Sequence, residues 1–127
     1  MKNCKDITKS SFVSNGNSTR HNGELANYVS SNLSKHEIEN MVCERELKGF
    51  IEDRLQEYYD RNDERYDQLL EGIKNHTLSM PDIVYIKEGT TTSMAIELIT
   101  NNYSQEEIDC KIETCETLGI SLTLVKI

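Results

Sequence analysis

The chain has no tryptophan, only two phenylalanines and a single proline in 127 residues. So little aromatic bulk allows one small core, and a second independent one is excluded; the length suits one domain, or a domain of about 90–100 residues behind an arm. Part of its burial is then expected to come from a partner subunit. No stretch approaches the roughly 20 consecutive apolar residues of a membrane span, and no apolar run near the start reads as a secretory signal. Positive charge is scarce as well: 14 Lys and Arg stand against 22 Asp and Glu, for a formal charge of −8. That balance does not suit a protein that holds nucleic acid by bulk phosphate neutralisation and counts against a nuclease, although a basic arm on the acidic body could still touch a phosphate backbone locally. Four cysteines, Cys4, Cys43, Cys110 and Cys115, have neither CxxC spacing nor a histidine at zinc-finger distance, which excludes a zinc frame. They are expected to pack as small apolar groups in a reduced, cytoplasmic setting.

What is present is unevenly distributed. Residues 1–32 are rich in Ser, Asn, Thr and Gly, and Lys2, Lys5, Lys9 and Arg20 outnumber Asp6 in the first 20. This reads as a flexible basic arm, with a short helix from Gly23 to Leu33 on the spacing of Leu25, Tyr28, Val29 and Leu33. Ser34-Lys35-His36-Glu37 is a capping-box pattern, and residues 34–73 read as a helical segment. Ile38, Met41, Val42, Leu47, Ile51, Leu55, Tyr58, Tyr66, Leu69 and Ile73 recur at helical steps among charged residues. Unbroken, a helix of about 40 residues would reach about 60 Å, so it bends at the weakly helical Asp60-Arg61-Asn62-Asp63 or packs on a second subunit. With Tyr58, Tyr59 and Tyr66 as contact residues, it is a candidate dimer surface.

The α/β core is expected over residues 80–127. Pro81 opens a strand through Ile86, Lys87-Glu88-Gly89-Thr90 turns, and Ser93 to Thr100 is a central apolar strand. Ser104-Gln105-Glu106-Glu107 caps a helix with Ile108, Ile112, Cys115 and Leu118 on its buried side. Gly119 is placed to end that helix in the left-handed conformation, and Ile120 to Ile127 closes as a strand. The order α–β–β–α–β predicts an α/β (α+β) fold: a small mixed sheet of three or four strands, with a parallel crossover through the last helix.

Two acids stand out. Alternation places Ala95, Glu97 and Ile99 on one face of the central strand and Met94, Ile96 and Leu98 on the other. Glu97 thus interrupts an apolar strand, where a carboxylate is costly without a compensating partner. Asp82 lies at the mouth of the neighbouring strand, near enough across a hairpin-like pair to share a magnesium or manganese ion. Pro81-Asp82, the hairpin, Glu97, the Ser-capped helix with Lys111, and Gly119 before a closing strand together resemble the PD-(D/E)xK nuclease-like superfamily, with its restriction-endonuclease-like core. The likeness is greatest to the nuclease-like part of replication-relaxation proteins and competence-associated nucleases of bacteria, plasmids and phages, and it covers residues 34–127. The resemblance implies metal-dependent hydrolysis of DNA phosphodiesters, with Asp82 and Glu97 as ligands of Mg or Mn and a lysine orienting the attacking water. Glu44, facing with Leu47 and Ile51, corresponds to a first-helix acid that many members use as a further ligand. The superfamily's lysine lies two residues after the glutamate, where this chain has Ile99; Lys111 is the substitute that helical spacing offers. That departure, with the acidic charge, supports as alternatives a catalytically inactive interaction module that dimerises through 34–73, or a small regulator that mimics the charge of DNA.

Overall fold

Helical spacing begins earlier than Gly23. In the computed structural model, which describes residues 19–43 and 46–127, helix α1 runs Thr19–Asn32. Its Leu25, Ala26 and Val29, with Leu33 beyond its end, are buried in the core. The arm expected through residue 32 therefore gives way to a packed element at Thr19, because four apolar side chains on one stripe bury more favourably than they hydrate.

The segment 34–73 divides into more than helix. Ser34 caps α2 (Lys35–Asn40) with a reciprocal Glu37 contact, the capping box read from the sequence. The second Glu37 oxygen accepts the backbone N–H of Glu88 at 3.0 Å and so ties α2 to the turn between two strands. Met41 is already extended (φ −73°, ψ 149°). Val42 and Cys43, expected within a helix, form strand β1 and pair with a neighbouring strand as Val42↔Val84 and Cys43↔Ile83. Sheet pairing outweighs helical spacing here, since each residue also faces a different core layer. Helices α3 (Leu47–Asp60) and α4 (Arg65–Asn75) follow. They are separated where the weakly helical run predicts a break, with Asn62 at φ 54°. No single helix of that segment needs to span 60 Å.

Strands β2 (Ile83–Ile86), β3 (Ser93–Ile99) and β4 (Ser121–Lys126) complete a mixed sheet of four strands in the order β1-β2-β3-β4. β2 pairs antiparallel with β1 and β3, and β3 pairs parallel with β4. The crossover between β3 and β4 is helix α5 (Gln105–Leu118), capped by Ser104 and ended by Gly119 at φ 70°. The fold is α/β. One sheet face packs on α1 and α2 through Ile83, Ile96 and Leu98. The other packs on α3, α4 and α5 through Val84, Ala95 and Leu118. Both faces are covered, so β3 reads as a nearly continuous apolar run. Among the described residues no helix is long and apolar enough to cross a membrane.

Tyr58 belongs to the second layer. It is 1% exposed, and its hydroxyl donates to the Thr117 carbonyl at 2.6 Å. As a contact residue for a partner it is excluded, because its ring already joins α3 to α5. Tyr59 is 67% exposed and lies against Tyr66 at a ring distance of 5.6 Å.

Candidate active site

The register of the central hairpin decides which acids meet. Ile83 pairs with Ile96, and Asp82 and Glu97 are the next residues beyond that pair on each chain segment. Asp82 is held at this position by the sheet itself: its Oδ2 accepts the backbone N–H of Leu98 at 2.9 Å. Both acids are buried, at 6% exposure for Asp82 and 2% for Glu97.

Lys111 reaches the pair from α5. Its Nζ lies 3.5 Å from Glu97 Oε1 and donates to the Met80 carbonyl at 3.0 Å. The helix start set by Ser104 puts residue 111 two turns in, on the side of α5 from which its stem reaches Glu97 and the Met80 carbonyl. The structure thus brings together Asp82, Glu97 and Lys111. Ile99, at the position of the superfamily's strand lysine, is half-buried at the end of β3. Glu44 lies outside the described residues.

Two further groups complete the cluster. His21 Nε2 lies 3.2 Å from Asp82 Oδ2, and the Tyr103 hydroxyl donates to Glu97 Oε2 at 3.0 Å. His21 sits in the part of the chain read as an arm. It lies four residues before Leu25, so extending the helical spacing back by one turn was the signal that could have found it. Tyr103 precedes the Ser104 cap in a turn, where no periodicity marks its direction.

The electrostatics follow from burial. Removal from water, and next the negative charge of Asp82, push the Glu97 carboxyl up to about 7, against the opposing pull of Lys111 and Tyr103. His21 is raised, chiefly by its hydrogen bond with Asp82, while burial works the other way. Tyr103 is raised by burial and then by the adjacent Glu97 charge. Glu97 Oε1 has no hydrogen-bond partner among the described residues. Burial thus disfavours the ionised form of Glu97 even with the Lys111 amine beside it.

No group of three or more His, Cys, Asp and Glu residues arranged to hold a metal occurs among the described residues, so a cation here would take Asp82 and Glu97 and fill its shell with water and substrate oxygens. Magnesium commonly binds through one or two carboxylates in this way. Of the three central side chains, Lys111 is the most open, at 15% exposure.

No family model matches the chain, and neither the curated proteins nor the solved structures contain a match to it.

Proposed function

We propose that the chain hydrolyses phosphodiester bonds in DNA with magnesium or manganese, in the manner of the PD-(D/E)xK nuclease-like superfamily that its sequence resembles. The observation that carries this reading is that the Asp82 carboxylate accepts the backbone N–H of Leu98, the residue next to Glu97, while the Lys111 amine lies 3.5 Å from Glu97. Asp82 and Glu97 would hold the ion. When bound, it supplies a more acidic water and positive charge beside the reacting phosphate. Lys111 supplies the amine that the superfamily places on the strand. From α5 it orients the attacking water and stabilises negative charge growing on the phosphate. Tyr103 and His21 fix the rotamers of the two carboxylates through contacts of 3.0 Å and 3.2 Å.

The test is cleavage of plasmid and single-stranded DNA with manganese or magnesium. Cutting is expected from the parent, lost in Asp82→Asn and Glu97→Gln, and strongly reduced in Lys111→Met. Variants that cut as well as the parent would show that the chemistry lies elsewhere.

A second reading, a catalytically silent module of the same fold that acts through protein contacts, is favoured by the burial of both carboxylates and the exposure of Tyr59. It expects no cutting with any divalent ion, together with a concentration-dependent dimer that Tyr59→Ser dissolves.

A further inference from the structure

We propose that β4 is a docking edge for a second copy of this chain. The two β4 strands pair antiparallel about a two-fold axis at Leu124, and the sheet continues from one copy into the other. This stands independently of the hydrolytic reading.

β4 is the last strand of the sheet and pairs on one side only, with β3. One hydrogen bond gives the direction of its remaining backbone groups. The Ile127 N–H donates to the Ile99 carbonyl at 3.0 Å and so points toward β3. Backbone groups alternate in direction along an extended strand. Thr123 and Val125 therefore also turn inward, while Leu122, Leu124 and Lys126 hold their N–H and C=O groups outward. Among the described residues these outward groups have no backbone partner. Such an edge takes another extended backbone, and natural sheets blunt it with proline, a bulge or several charges. β4 keeps an unbroken register with β3, contains no proline and carries Lys126 as its one charge. The opposite edge of the sheet, β1, is only two residues long and offers no comparable template.

Side chains extend the same surface. Leu122 and Leu124 are half-buried and, two residues apart, share the face that packs toward α5. On α5, Lys111 and Thr114 reach Met80 and Ser79, the residues leading into β2. At 100° per residue, Ile108 and Ile112 then lie on the flank turned away from β2, toward the open edge. Ile112 is 36% exposed there.

Symmetry and charge select a second copy. A two-fold dimer needs a surface complementary to itself. With the axis at Leu124, that residue meets its own copy and Leu122 lies opposite Lys126 of the other chain. Every outward N–H of β4 then meets an outward carbonyl, and the Lys126 stem covers Leu122. Both α5 helices lie on one face of the joined sheet, with their Ile112 flanks toward each other. Two chains of net charge −8 repel across most of their surfaces. From Thr117 to Ile127 the sequence holds no Asp or Glu, so like-charged copies approach here against the least repulsion.

The experiment is sedimentation velocity of the intact chain over a concentration series, with amide hydrogen exchange on the same samples. A monomer–dimer equilibrium is expected. The amides of Leu122, Leu124 and Lys126 gain protection as the dimer forms, while those of Thr123 and Val125, already bonded to β3, are protected throughout. Lys126→Pro removes one outward N–H and spares the β3 ladder; Ile112→Glu places a charge on the exposed flank. Each is expected to weaken dimerisation at least about tenfold, with an unchanged circular dichroism spectrum, and Tyr59→Ser to leave it unaltered. A chain that stays monomeric at the highest concentration overturns the proposal. So does a dimer whose formation leaves the three outward amides exchanging freely, or one that Tyr59→Ser alone dissolves, which belongs to α3 and α4 instead. If Lys126→Pro disturbs the fold, Ile112→Glu and the exchange pattern of the parent decide.

Discussion

Replacing Glu97 with Gln should stabilise the protein in alkali and leave it almost unaltered in acid. The carboxyl titrates at about 7 in the fold against an ordinary value of 4.5. The native state therefore holds its proton more tightly than the unfolded chain does. A raised acid contributes stability that is fully present below about 4.5 and is lost as pH rises through about 7. At about 1.4 kcal/mol per pH unit, the full loss is about 3 kcal/mol. His21, raised from 6.5 by its contact with Asp82, works in the same direction: its contribution is present below 6.5 and is lost through its folded value. Urea unfolding of the parent should therefore show stability falling from mildly acidic to mildly alkaline solution. Glu97→Gln keeps the shape and the oxygen that accepts from Tyr103 but cannot ionise. Near pH 8 it should exceed the parent by up to about 3 kcal/mol, or on the order of 10 °C in Tm; near pH 5 the two should coincide. Manganese added near pH 8 should raise the parent's midpoint by mass action and leave Glu97→Gln in place. Parallel pH profiles for the two proteins, or a variant weaker than the parent near pH 8, would refute the reasoning.

Two predictions concern the frame that holds the site. Tyr58→Phe removes a buried hydroxyl that donates to the Thr117 carbonyl at 2.6 Å and should cost about 1 kcal/mol in urea unfolding, with the fold and any cleavage retained. Gly119→Ala places a Cβ at φ 70°, 3.1 Å from the Arg65 guanidinium; the left-handed backbone should cost about 1 kcal/mol or more, read as a lower Tm.

Local signals carried much of the design. Ser34 with Glu37 and Ser104 with Glu107 mark two helix starts, and both hydroxyls accept the expected backbone N–H at 3.1 Å. Gly119 marks an end, and a helix between two apolar runs implies the parallel β3–β4 pair. Each depends on a few adjacent residues, so sequence alone can specify it. Glu97 stood out for the same reason, as a charge inside an apolar run.

Other features required distant parts of the chain to meet. Val42 and Cys43 satisfy a helical pattern, and become a strand because β2 offers them a ladder. Tyr58 looked like a surface aromatic until α5 supplied a carbonyl for its hydroxyl. His21 acquires its place only when α1 docks on the sheet and carries it to Asp82, 61 residues later in the chain. The sequence by itself determined which acids a strand would carry and where helices begin and end, because capping and alternation act over a few residues. Tertiary structure alone decided that Asp82, Glu97, Lys111, His21 and Tyr103 share one buried space, because register and helix docking are set by the burial of apolar faces far apart in the chain.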